Sequence, residues 1–301
     1  MNWGVSQPPD HVERAVRRVL GDEIDRFERI DRGFTAAERW RAVRHDGASA
    51  FAKGATNSET GSWLRTEALV YQQVDGGFLP NLLGFVDDGA HPVLVLEDLT
   101  DATWPPPWSA PQVAQVQSTL RELGAQAAPS ELPDAETLRP AFSGWSKVEA
   151  DPEPFLSLGL CSRKYLIRAL PMLVSAERAV RLSGDELLHF DVRSDNLCFR
   201  EGRCLLVDWN WACRGNATLD LACWLPSLRA EGGPPPEELL PDAPNAAAAV
   251  SGFFASQAGL PPGPLSAAVR ELQRTQLVEA FPWALRALRL PPADPPEDDD
   301  A

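Results

Sequence analysis

Residues 187–225 read LLHFDVRSDNLCFREGRCLLVDWNWACRGNATLDLACWL, and the chemistry of the chain is most legible there. Leu197 to Phe199 and Leu205 to Val207 are short apolar runs around Glu201-Gly202-Arg203, the pattern of two strands joined by a tight turn. Asn196 precedes the first strand and Asp208 follows the second, so strand pairing brings an amide oxygen and a carboxylate face to face. Beside phosphate oxygens, these are the ligands Mg²⁺ takes when it binds together with a nucleotide. Asp191, five residues before Asn196, lies on the loop leading into the hairpin. A carboxylate there is placed to accept a proton from an attacking hydroxyl.

Upstream of this segment the chain is rich in strand signals. A first helix is expected from Asp10 to Gly21, with Asp10 and Glu13 as a capping-box pair and Val12, Val16, Val19 and Leu20 on one face. Strands are expected over 24–31, 38–45 and 48–54, with turns at Gly33 and Gly47, then a helix over 59–74. Two further strands follow, Leu82 to Val86 and Val93 to Glu97, the second a continuous apolar run suited to a buried position. Trp104-Pro105-Pro106-Pro107-Trp108 reads as a stiff connection between two packing anchors, because each proline fixes φ and removes a donor. Beyond it the pattern turns helical, over 111–123, 162–182 (containing Pro171), 245–258 and 264–290. A β-rich first third and a helix-rich remainder predict an α+β fold of two unequal lobes.

The spacing His189-x-Asp191-x-x-x-x-Asn196, with Asp208-Trp209 twelve residues after Asn196, resembles the catalytic loop and metal motif of the kinase-like superfamily. With Asp220-Leu221-Ala222 nearby, the version is similar to the aminoglycoside phosphotransferase family of small-molecule kinases. That resemblance implies a bilobal protein-kinase-like fold. Its parts would be a small β-rich N-lobe (1–98), a hinge and linker (99–109), a larger helical C-lobe (110–290) carrying the catalytic hairpin within 187–225, and a disordered acidic tail (291–301).

The resemblance also assigns roles. Asp191 is the catalytic base, Asn196 and Asp208 hold Mg²⁺, His189 braces the loop and Asp220 anchors it. Lys53, ending a strand, would position the ATP phosphates, held by Glu67 fourteen residues later on a helix. Glu97, Asp98 and Leu99, in LVLEDL, would present backbone groups to adenine. Gly33, Phe34 and Thr35 take the place of the phosphate-covering loop. One glycine stands where protein kinases carry a glycine-rich run, a departure that fits small-molecule kinases better. Arg193, where protein kinases carry a lysine, would stabilise charge on the γ-phosphoryl group.

Bulk properties bound the partners. A net charge of −15 argues against a nucleic-acid ligand and favours a cationic substrate. No apolar run reaches the ~18 residues of a membrane span, and Met1 to Asp10 lacks a leader pattern, so no membrane partner is expected and the cytoplasm is the expected compartment. Five cysteines without a CxxC pair argue against a zinc site or a disulfide framework. Only eleven residues separate Asp208 from Asp220 and no Ala-Pro-Glu follows, which argues against a protein kinase. The expected activity is ATP- and Mg²⁺-dependent phosphorylation of a hydroxyl on a small molecule, an aminoglycoside or another antibiotic. The alternatives are a kinase of an amino sugar or a choline-like amino alcohol, and a non-catalytic pseudokinase. Antibiotic resistance would follow only from an antibiotic acceptor. Neither the acceptor nor the oligomeric state is written in these residues. Trp145, Trp224 and Trp283 are candidates for an acceptor pocket, but tryptophans in such a chain read first as packing anchors.

Overall fold

A computed structural model describes residues 7–31, 33, 35–261 and 267–295. In chain order its elements are α1 (Asp10–Leu20), β1 (Ile24–Arg29), β2 (Glu38–Arg44), β3 (Ser49–Gly54), α2 (Ser58–Gln73), β4 (Leu82–Val86), β5 (Val93–Glu97), α3 (Ala110–Gly124), α4 (Gly144–Ala150), α5 (Glu153–Leu156), α6 (Arg163–Arg178), β6 (Glu186–Leu188), β7 (Leu197–Arg200), β8 (Arg203–Leu206), β9 (Cys213–Gly215), α7 (Thr218–Ala230), α8 (Pro236–Leu239), α9 (Pro244–Ala258) and α10 (Ala267–Ala287). The α+β class read from the sequence is the one observed. The chain divides into two units, one made of Met1–Pro105, Ala128–Leu132 and Asp195–Ala212, the other of Pro106–Ala127, Pro133–Ser194 and Cys213–Ala301.

The first unit is built on an antiparallel sheet of five strands in the order β1-β2-β3-β5-β4. Successive residues of a strand point to opposite faces. On one face Trp40, Ala42, Ala50, Ala52, Val93 and Val95 pack against Val12, Ala15 and Val16 of α1. Lys53, next to Ala52, therefore points to the other face, where α2 supplies buried Leu64, Glu67 and Ala68. The capping box expected at Asp10 and Glu13 does not form. Val12 and Glu13 N–H both donate to the Pro9 carbonyl, which makes Pro9 the cap and puts Asp10 inside the first turn, while Glu13 accepts from Arg17 Nε at 2.9 Å. A true capping box opens α2, where Asn57 Oδ1 accepts from Thr60 N–H and Thr60 Oγ1 from Asn57 N–H.

The hairpin β7–β8 completes this unit. Leu197 pairs with Leu206 and Arg200 with Arg203, leaving a two-residue turn of Glu201 (φ 51°) and Gly202 (φ 74°). Two left-handed residues in succession match the twist of the strands they join. Phe199 and Thr103 exchange two backbone hydrogen bonds of 2.9 Å, and Leu206 N–H donates to the Phe78 carbonyl at 2.8 Å.

The second unit is helical apart from the short β6–β9 ladder. Its centre is α9, whose Ala246 to Val250 are buried and which packs on α4, α6 and α10. Helix α6 runs on through Pro171, and α10 runs on through Pro282. At the α4–α9 crossing the two backbones nearly touch: a Cβ on Gly144 would stand 1.7 Å from the Gly252 carbonyl oxygen, so only glycine fits. Glu177 of α6 is buried there and accepts from Trp145 N–H, Ser146 N–H and Ser146 Oγ, each at 2.7 Å. Trp145, Trp224 and Trp283 are enclosed in the core at 0%, 0% and 1% exposure, which makes them packing anchors rather than the walls of an acceptor pocket.

Candidate active site

In the first unit, three distant parts of the chain converge on one ammonium group. Lys53 Nζ donates to Glu67 Oε1, to Asp208 Oδ1 at 2.7 Å and, at 3.4 Å, toward Asn210 Oδ1. The Lys53 and Glu67 side chains are only 4% and 2% exposed, whereas Asp208 keeps 26%. Burial alone would lower the Lys53 pKa, but the charges of Glu67 and Asp208 outweigh it, so the pKa is raised and the group stays cationic. One ammonium cannot balance two carboxylates. The excess falls on the more deeply buried acid: burial pushes Glu67 up to about 7, against the pull of Lys53 and with a further push from Asp208.

Asp208 follows β8 with φ 66°, a left-handed conformation that aspartate tolerates better than most residues. At the other end of the hairpin, Asn196 is 5% exposed and its carbonyl accepts from Val207 N–H at 2.9 Å, so the two ends are held side by side. Among the described residues no group of three or more His, Cys, Asp or Glu is gathered for a metal ion. A carboxylate and an amide, two hard oxygen donors, fit a hard divalent cation that takes its remaining ligands from phosphates and water.

The segment expected to meet adenine is tied down by its side chains. Asp98 accepts from Ser49 Oγ (2.6 Å), Thr100 Oγ1 (2.5 Å), Thr100 N–H (3.0 Å) and Arg41 Nε (2.5 Å). Burial works to raise the Asp98 pKa, yet these donors prevail and it is lowered. Glu97 accepts from Asn81 N–H at 2.7 Å and from Arg200 at 3.2 Å, and Arg200 also donates to the Asp98 carbonyl at 3.1 Å. The Leu99 carbonyl accepts from Ala102 N–H at 3.1 Å and Trp104 Nε1 at 3.4 Å. Ahead of β2, Gly33 has φ 97°, which suits glycine, and Thr35 is held by Arg39 through both its carbonyl and its hydroxyl. Phe34, expected beside them, lies outside the described residues.

The loop bearing Asp191 belongs to the second unit. There Asp220, 2% exposed near the start of α7, accepts from His189 N–H at 2.8 Å and Phe190 N–H at 2.7 Å. These bonds hold Phe190 at φ 66° and hand the chain on to Asp191, whose N–H donates to His189 Nδ1 at 3.2 Å. Burial pushes Asp220 up to about 7 in spite of the two N–H donors. Arg193 turns back on its own loop, with Nε 3.5 Å from Asp191 Oδ1. Ser194 Oγ donates to Glu231 Oε1 at 2.5 Å and Trp108 Nε1 to Glu231 Oε2 at 2.7 Å.

Three residues of these clusters, Asn210, Arg39 and Glu231, escape a reading of the sequence. Asn210 was visible as the second residue after Asp208. Arg39 can be found only by pairing β2 with β3, and Glu231 carries no local signal.

A sheet-based unit carrying a lysine–glutamate–aspartate cluster and a helical unit carrying an HxD loop define a kinase-like protein. Residues 70–254 match the phosphotransferase enzyme family, more than half of the chain, and the chain belongs to that family. No curated protein sequence matches it. Among solved structures it is similar to a thermostable mutant of aminoglycoside phosphotransferase APH(4)-Ia, with 13% identity and a TM-score of 0.57 over 92% of this chain and 98% of the other. A choline/ethanolamine kinase family protein from Mesorhizobium loti matches at 18% identity and a TM-score of 0.55, over 92% and 98% of the two chains. The amicoumacin kinase hAmiN, solved with AMP-PNP, Ca²⁺ and Ami, matches at 13% identity and a TM-score of 0.51, over 83% and 89%. At these identities the likeness is one of fold.

Proposed function

We propose that this chain transfers the γ-phosphoryl group of ATP to a hydroxyl of a small, cationic molecule. The observation that carries the reading is the convergence of Lys53, Glu67 and Asp208, a buried cation held by one acid and shared with another. Such a cation suits the phosphate chain of a nucleotide. Asn196 and Asp208 would hold Mg²⁺, which when bound neutralises charge on the phosphates. The acceptor oxygen bonds to the γ-phosphorus as the bond to the ADP oxygen breaks, and the hydroxyl proton passes to the Asp191 carboxylate. The leaning to a cationic acceptor, such as an aminoglycoside, an amino sugar or an amino alcohol, rests on the net charge of −15.

The test is MgATP consumption across a panel of those three acceptor classes, with Asp191→Asn beside the wild type. Turnover with one class, reduced roughly 10²–10⁴-fold in the variant, is the expected result. An Asp191→Asn protein as active as the wild type removes Asp191 from the mechanism. Nucleotide binding without turnover on any acceptor favours the pseudokinase.

A further inference from the structure

The register of the sheet places a second cation next to Lys53. In the β2–β3 ladder Arg39 is the direct partner of Lys53. Directly opposed residues of an antiparallel pair share one face, and like charges in that position repel. Lys53 is compensated by two carboxylates. Arg39 is not: it donates through Nη1 to the carbonyls of Thr35 (3.2 Å) and Ala37 (3.0 Å) and through Nη2 to Thr35 Oγ1 (2.5 Å), all uncharged oxygens. Among the described residues no carboxylate pairs with it.

The orientation of the guanidinium is equally specific. Its Nη1–Nη2 end grips the loop, and Gly33 lies so close that a Cβ there would stand 2.7 Å from Arg39 Cζ. Among the described residues nothing accepts from Nε–H, so the Nε–Nη2 side keeps donors for an incoming anion. That side is the fork through which arginine grips phosphate with two parallel bonds. Arg39 also acts on the cluster electrostatically, being one of the charges that pull the Glu67 pKa down. A cation fixed by neutral oxygens, beside a lysine and against Gly33, is arranged for an anionic ligand.

We propose that Arg39 is a second polyphosphate-binding residue, set by strand register beside Lys53 to grip the phosphate chain of the nucleotide. It makes up for the single glycine of the 33–35 loop: where several backbone N–H groups would cradle phosphate in a glycine-rich loop, one side-chain fork supplies the donors. This assignment rests on the nucleotide-dependent reading above.

Binding of ATP, ADP and adenosine, measured by calorimetry with Mg²⁺ present, tests it in the wild type, Arg39→Ala, Arg39→Lys and Arg44→Ala. Arg39→Ala should lose roughly tenfold or more in affinity for ATP and ADP, the scale of one charge-assisted contact, with adenosine unchanged. Arg39→Lys, which keeps the charge without the fork, should fall between and serves should the alanine variant not fold. Arg44→Ala removes another cation of β2, one already paired with Glu23 at 2.8 Å, and should leave the ratio of ATP to adenosine affinity as it was. Arg39 variants that bind ATP like the wild type overturn the proposal, as does an equal loss for ATP and adenosine, or an Arg44→Ala protein that reproduces the Arg39→Ala loss. A wild type that binds no ATP overturns the phosphotransferase reading along with it, a result distinct from the other three.

Discussion

Replacing Asp220 by asparagine keeps the shape of the side chain under the Asp191 loop and removes its ability to ionise. In the wild type the carboxyl is 2% exposed, and burial takes it from the usual 3.8 to about 7. A folded-state value above the unfolded one means that folding favours the proton. The stabilisation is complete below the unfolded value and is lost as pH rises through about 7. At 1.36 kcal/mol per pH unit the whole effect is about 4 kcal/mol, of which roughly 3 kcal/mol falls between pH 5 and pH 8. Asparagine has no such slope. It carries instead a pH-independent cost of about 1–3 kcal/mol, because one oxygen cannot accept from both His189 and Phe190 and its amide group faces the other N–H. Urea unfolding followed by tryptophan fluorescence, in half-unit pH steps, gives both curves. The wild type should hold its largest advantage near pH 5 and lose most of it by pH 8. Glu67 also titrates near 7 with the same sign, but it is common to both proteins and cancels in the difference. Parallel curves over that range would refute the reasoning about burial.

Two further outcomes follow from the packing. Lys53→Met leaves Glu67 and Asp208 without their shared cation. Thermal unfolding should show a loss of about 3–5 kcal/mol that deepens from pH 6 to pH 8, and an unchanged melting temperature would contradict the buried cluster. Gly144→Ala drives a methyl group into the Gly252 carbonyl at the α4–α9 crossing. It should cost at least about 3 kcal/mol, the upper end of overpacking, and a protein that melts with the wild type would show that the helices can part freely.

Some of this structure is open to a reader of residues alone. Alternation places Ala52 in the core and Lys53 on the opposite face, and the turn at Glu201-Gly202 sets the β7–β8 register, because these features are local. The same local grammar misleads at α1, where Asp10 and Glu13 have the spacing of a capping box but the helix starts at Pro9, and it passes over Asn57 and Thr60, which do form one. The meeting of Lys53 with Asp208 spans 155 residues, beyond anything periodicity reports; the likeness to a known motif gave each residue a role but did not pair them. Arg39 shows the intermediate case. Its place beside Lys53 follows from counting back through the β2–β3 turn, yet its lack of a carboxylate partner is visible only in three dimensions.

The segments that make up the first unit are not contiguous: the five-stranded sheet lies within Met1–Pro105, and Asp195–Ala212 arrives only after two segments of the second unit, Pro106–Ala127 and Pro133–Ser194, have been made. On a ribosome adding 5–20 residues per second, the sheet waits roughly 5–20 s for the hairpin that supplies the second carboxylate to Lys53. During that interval Thr103 lacks the strand at Phe199 with which it exchanges two hydrogen bonds, and Phe78 lacks the N–H of Leu206. The nascent chain therefore carries an unfinished first unit through about a third of its own synthesis. A ribosome stalled before Asp195 would hold Thr103 and Phe78 without their backbone partners and a charged lysine short of one carboxylate, a form of the protein for a chaperone to hold.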